Sequence, residues 1–155
     1  MDTREALGSW IDGPKAAAEK MGADFGHRGE RLGLPKEGSG SAAGPGRRLG
    51  ALFVDGWLCS LVAYGLLAHG DRVEANLWTT PLFYVVAVVL LSTTGTTIGK
   101  RLFGLRVVRL DGSRATIPQV LLRTLLLCLV VPAVVWDRDG RGLHDKAVGT
   151  VEVRI

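Results

Sequence analysis

The chain has two cysteines, Cys59 and Cys128, and no CxxC pair. That spacing supports neither a disulfide framework nor a zinc site. Both thiols lie within apolar stretches, so each is expected to be a buried free thiol. The first 20 residues carry charges throughout and lack an apolar core, so no signal peptide is expected. Also missing are a Ser-His-Asp set, an HExxH motif and a paired-Glu arrangement, so no enzyme is expected and no cofactor is implied. A net charge of +4 is too small to argue for nucleic acid. The basic residues are also local. Lys100, Arg101, Arg106, Arg109 and Arg114 face the single acid Asp111 within residues 100–114, which reads as a cytoplasmic loop.

Apolar and charged residues, by contrast, are both abundant, and they are segregated. Of 155 residues, 47% are hydrophobic and 22% charged. The two kinds lie in separate blocks instead of interleaving at helix or strand periods, which is the pattern of a small membrane protein with soluble flanks. The expected fold is an α-helical integral membrane protein with two transmembrane helices, a third apolar segment that is re-entrant or spanning, and a small cytoplasmic β-hairpin-like element. The division expected is a cytoplasmic tail over 1–46 and a membrane domain over 47–155. In the tail, Leu7, Trp10 and Ile11 form a short apolar stripe, and KAAAEKM after Pro14 can form a helical turn. The tail is either loose, or docks Trp10, Ile11, Leu32 and Leu34 on the membrane domain or on a partner.

The first span is expected from about Leu49 to Ala68, behind the pair Arg47 and Arg48. The polar stretch His69–Asn76 forms the loop. The second span follows from about Leu77 to Thr94, with Trp78 as an interface anchor and Pro81 in the first turn. The third segment, Ile117–Trp136, is long enough to cross once, at about 30 Å. It contains Arg123, however, and is bracketed by Pro118 and Pro132. Residues 105–110 and 149–155 both alternate as half-buried strands do, with Asp111-Gly112 as a turn after the first. If they pair, both lie on one side of the membrane. The third segment must then return near Pro132 or lie in the plane, whereas a single crossing would place the C-terminus outside. The basic residues favour both termini in the cytoplasm.

Four sets of residues can carry chemistry. Asp55, inside the first span, is costly in lipid and needs a partner or water. It is either a cation or proton site, or half of an ion pair with Arg48 or Arg123. Arg48 lies seven residues before it on the same helix face, about 10 Å away along the axis. Arg123 either neutralises Asp55 or snorkels to the cytoplasmic face. His144-Asp145 is either a proton relay or a loop staple capping a helix that starts at Asp145, with Lys100, Arg101 or Arg141 nearby. GTTIGKR lacks the spacing of a phosphate-binding loop. With Lys100, Arg101, Arg106 and Arg109, it fits anionic lipid headgroups better.

The runs RRLGALFVD, GTTIGKRLFGLRVV and GRGLHDKAVGTVEV, in that order, resemble the RDD family of small bacterial membrane proteins. ALGSWIDGP and ERLGLP are similar to the leader of its actinobacterial members. The resemblance covers about residues 47–155. It implies that Arg48 is the family's arginine and that Asp55 and Asp145 are its two aspartates. The role it implies is loosely defined: transport of unknown ligands, with some members linked to cation–proton exchange. The reading drawn from residues and resemblance together is an inner-membrane accessory or assembly component, bound to the lipid bilayer, to anionic lipids, and to other membrane subunits or a second copy. The alternative is a transporter or antiporter component that uses Asp55.

Overall fold

The structure is a computed structural model that describes Gly22 and residues 26–129 and 141–155. The expected stripe at Leu7–Ile11, the turn after Pro14 and the return near Pro132 lie outside the described residues. Two long apolar helices form an antiparallel pair. Helix α1 spans Pro45–Val62 and widens into a π-helical turn over Ala63–Leu67. Helix α2 spans Arg72–Thr94. Both begin earlier than composition suggested. Pro45 supplies the fixed φ of a first helical turn. Asp71 caps α2, its Oδ1 accepting the N–H groups of Val73 at 2.7 Å and Glu74 at 3.0 Å. Pro81 therefore sits inside α2 rather than in its first turn.

Only 22% of the most apolar window of the first helix and 11% of that of α2 is buried within the chain. The core helix of a soluble protein would be mostly covered. These two are candidate membrane spans whose apolar flanks, including Phe53, Trp57, Leu77 and Val85, face outward.

Beyond α2 the chain builds a compact base. Gly95, at positive φ, ends α2 and turns the chain. A short helix α3, Ile98–Leu102, leads into strand β1, Leu105–Arg109. Helix α4, Ile117–Cys128, opens with a capping box from Thr116 and Gln119. Helix α5, Leu143–Val148, precedes strand β2, Thr150–Arg154. At 12 residues α4 is about 18 Å long, short of a crossing.

The two alternating runs, whose pairing the sequence left conditional, do pair, as a long-range ladder. β1 and β2 are antiparallel, with Leu105 opposite Arg154 and Val107 opposite Glu152. The local turn at Asp111-Gly112 forms as well, but it folds β1 back only to a single bridge between Val108 and Arg114. β2 is the central strand, because Ser41 and Ala43 pair along its other edge. Residues 40–43 are thus tied to the base, ahead of the boundary expected at 47. Opposed residues in an antiparallel pair share a face. One face therefore carries Leu105, Val107, Thr150 and Glu152 toward the helices. Val107 packs with Ala87, Leu91 and Val120, and Leu105 with Ala43 and Ala51.

α3 and α1 approach closely at Gly99. A Cβ there would lie 2.2 Å from the Ala51 carbonyl oxygen and 2.9 Å from the Asp55 carboxyl carbon. Gly56, on the same α1, has nothing within 4 Å of its would-be Cβ. Gly99→Ala is therefore expected to cost at least about 1–3 kcal/mol of stability. Gly56→Ala should be neutral or stabilising by about 0.5–1 kcal/mol. Thermal unfolding of the detergent-purified variants checks the contrast.

Candidate functional site

The helix-facing surface of the sheet carries one carboxylate, Glu152, into a space bounded by α1, α3, α4 and α5. Buried charge is tolerable only when paired and hydrogen-bonded, and every element around Glu152 contributes to that pairing. Arg123 of α4, fully buried, donates from Nε to Asp145 Oδ1 and from Nη2 to Glu152 Oε1. Lys100 of α3 donates to Glu152 Oε1 at 2.8 Å. Arg48 of α1 reaches both acids, with Nη1 at 3.7 Å from Asp145 Oδ2 and Nε at 3.5 Å from Glu152 Oε2. Its Nη2 also donates to the Glu152 backbone carbonyl at 3.3 Å. Thr150 donates to Asp145 Oδ1 at 2.9 Å, and His144 Nε2 lies 3.5 Å from Asp145 Oδ2. Three cations thus surround two carboxylates, and all five residues are buried.

This network redistributes the residues singled out by sequence. Arg48, Arg123, His144 and Asp145 come together. Asp145 is no cap for its own helix: it lies in the first turn of α5, behind Gly142, and faces the arginines. Lys100 is buried in the network rather than extended to headgroups. Arg101 and Arg106 are exposed, while Arg109 is partly exposed and lies 3.6 Å from Asp111.

Asp55 stands apart. Neither Arg48 nor Arg123 pairs with it. Its carboxylate accepts from the Thr97 hydroxyl and, at 2.7 Å, from the Gly99 N–H. The close approach at Gly99 puts α3 where an arginine was expected, and Arg48 turns toward Asp145 and Glu152. Asp55 and Thr97 also form the polar end of a cavity of about 220 Å³ between α1 and α2, otherwise lined by apolar side chains such as Leu58, Leu82 and Phe83.

Glu152 was missed by the sequence reading, as were Thr97, Gly99 and Thr150. The available signal was a lone acid in GTVEVRI, inside a strand with apolar residues on either side. If both faces of such a strand are covered, the acid requires a cation.

His144, Asp145 and Glu152 could each offer a ligand atom, all within 4.8 Å of one another. The electrostatics oppose a divalent cation there. Arg48, Lys100 and Arg123 already point at the same carboxylates, and a metal would have to displace them.

Burial pushes the Asp145 and Glu152 carboxyls up, but the surrounding cations outweigh it. For Asp145 the largest of these is Arg123, and for Glu152 it is Lys100 followed by Arg123. Asp145 is held below the usual carboxylate range and Glu152 well below it. A carboxyl depressed in the folded state stabilises fully above its unfolded pKa, about 4, and loses that contribution as pH falls through its folded value. Stability should therefore be flat at neutral pH and fall progressively below about pH 4. Glu152→Gln strands three buried cations beside one remaining acid, and should cost about 3–5 kcal/mol at neutral pH. It should also flatten the acid limb, as read from melting temperature against pH.

Arg48 and Asp145, which the sequence resemblance pairs by name only, thus meet in space, and the segments carrying them are covered by one family match. That match, to the RDD family, extends over residues 42–149, so Glu152 lies just beyond it. No curated protein and no solved structure matches the chain. With more than half its length in the match, including both candidate spans and the three cations of the network, the chain belongs to the RDD family.

Proposed function

We propose that the protein is a non-enzymatic assembly component of the cytoplasmic membrane. Its two spans associate laterally with other membrane subunits or with a second copy, and its base lies on the cytoplasmic side. The observation that carries this reading is that the buried ion network ties the elements of the base together. Arg48, Lys100, Arg123, Asp145 and Glu152 pair with one another within the fold, with a formal excess of one positive charge, and join five elements. Their pairing holds the base together, with every one of the five side chains buried. The spans leave their apolar flanks open to lipid or to a partner helix.

The pairing of β1 with β2 supports reading both strands on one side, with the third apolar segment re-entrant or lying along the interface. The exposed Leu121, Leu122 and Leu125 of α4, with Leu129 just after it, suit either arrangement. Arg101 and Arg106, exposed on the same base, suit anionic headgroups, and their position favours a cytoplasmic N-terminus and C-terminus.

A second reading, a transport or cation–proton antiport component, is favoured by one feature: Asp55 borders the cavity between the spans. Two spans enclose no path alone, so this reading requires an oligomer.

Asp55→Asn separates the two. Asparagine keeps an oxygen for the Gly99 N–H, so abundance and assembly should stay near native. Under the assembly reading, cation flux in everted vesicles is unchanged and native purification in mild detergent yields a species larger than a monomer. Flux abolished at unchanged abundance overturns that reading in favour of transport, and a strictly monomeric species defeats both. A reporter fused after Ile155 should read cytoplasmic.

A further inference from the structure

The cations that Asp55 was expected to use are committed elsewhere. Lys100 lies 2.8 Å from Glu152, Arg123 bridges Asp145 and Glu152, and Arg48 reaches the same two acids. Among the described residues, no lysine, arginine or histidine forms an ion pair with Asp55. Its bonds come from two neutral donors, the Thr97 hydroxyl and the Gly99 amide. A carboxylate has about four acceptor positions, so two remain. With Asp55 only 8% exposed, those positions have little access to bulk water.

Asp55 borders the 220 Å³ cavity, whose remaining wall is hydrocarbon, aromatic or thiol except for Thr97. A buried carboxylate without a counter-charge, at one end of an apolar chamber, is complementary to a cation with an apolar body. An inorganic cation fits less well. Hard cations require several oxygen ligands, and only Asp55 and Thr97 carry side-chain oxygens among the lining residues. Phe83 is among the lining residues, and an aromatic ring is a group that attracts a cation. A neutral acyl chain would fill the volume but leave Asp55 uncompensated. The volume falls below the usual range for drug-sized ligands, about 300–1,000 Å³, so the occupant is compact.

We propose that this cavity binds a small organic monocation, a primary or secondary ammonium on a compact apolar body. Its N–H groups donate to the Asp55 carboxylate, and its hydrocarbon lies among Leu58, Leu82, Phe83 and Val86. The site is a binding site whether the occupant is carried across the membrane or only held. It therefore stands apart from the assembly reading, and flux measurements do not decide it.

The test is titration calorimetry of the full chain in phosphatidylcholine nanodiscs, with benzylammonium and its neutral counterpart benzyl alcohol as probes. The native chain should bind the ammonium at least about tenfold more tightly, the equivalent of 1.4 kcal/mol. Asp55→Asn should remove that preference. Val86→Phe fills the chamber without touching the bonds from Thr97 and Gly99 to Asp55, and should abolish binding of both probes. Where Asp55→Asn yields no folded protein, the native chain's preference for the ammonium over the alcohol, together with its loss in Val86→Phe, decides. Equal binding of the two probes overturns the proposal in favour of an apolar or lipid-chain pocket. Stoichiometric displacement of benzylammonium by sodium or potassium overturns it in favour of an inorganic cation site. Ammonium binding that survives Val86→Phe overturns it by placing the probe elsewhere.

Discussion

The structure depends on the fact that Glu152 and Asp145 are buried together and cannot be left so without cations. Removing a carboxylate from water costs several kcal/mol even after relaxation. Arg123 offsets that cost for both acids at once through two nitrogens of one planar group, which a lysine could not do. Lys100 and Arg48 complete the compensation. Because the five residues come from α1, α3, α4, α5 and β2, none of these five elements can leave its place without stranding a charge. Such a network adds little net stability relative to a packed apolar core, but the arrangement it permits is narrowly specified. That matters in a chain whose buried apolar core is small, made largely of alanine, valine and leucine.

The network also governs the topology. Glu152 reaches the arginines only if β2 lies against β1 in the observed register. A shift of one residue would turn Glu152 to the opposite face and bring in Val151 or Val153. β2 is further fixed by Ser41 and Ala43 on its other edge, so the stretch just before the first span and the last stretch of the chain meet on one strand. A third segment that crossed the bilayer outright would separate β2 from β1 and Asp145 from Arg48.

The two long apolar helices, both candidate spans, were legible in the sequence because a bilayer sets a coarse rule, about 20 apolar residues, that composition satisfies by itself. Their starts were less so. Asp71 as a cap and Pro45 at a first turn are local signals that lay outside the apolar runs. The strands were legible as alternation, but their pairing across more than 40 residues was only conditional. Arg48, Arg123, His144 and Asp145 were visible as charges in unusual places. What spacing could not supply was their partners. Helix-face arithmetic put Arg48 over Asp55, yet a long arginine side chain follows the nearest uncompensated carboxylates, and those were contributed by β2 and α5. Glu152 stayed hidden because an acid in an alternating strand ordinarily marks the solvent face. Here the strand is central and covered on both sides.

The same geometry separates two aspartates that the family's name treats alike. Asp145 is surrounded by cations, and no change of ligand is needed to explain its charge. Asp55 is held by a hydroxyl and an amide, which orient a carboxylate without neutralising it. α3 is pressed against α1 at Gly99, where even a methyl group would collide with Ala51, so that amide cannot move away while the helices stay packed. A carboxyl that is fixed in position and open on one side to an apolar cavity differs from a structural ion pair in one physical respect: among the described residues, no cation of the base pairs with it. The fold thus places a set of paired charges, which ties the base together, beside a single carboxylate held by neutral donors at the start of the space between the two long helices.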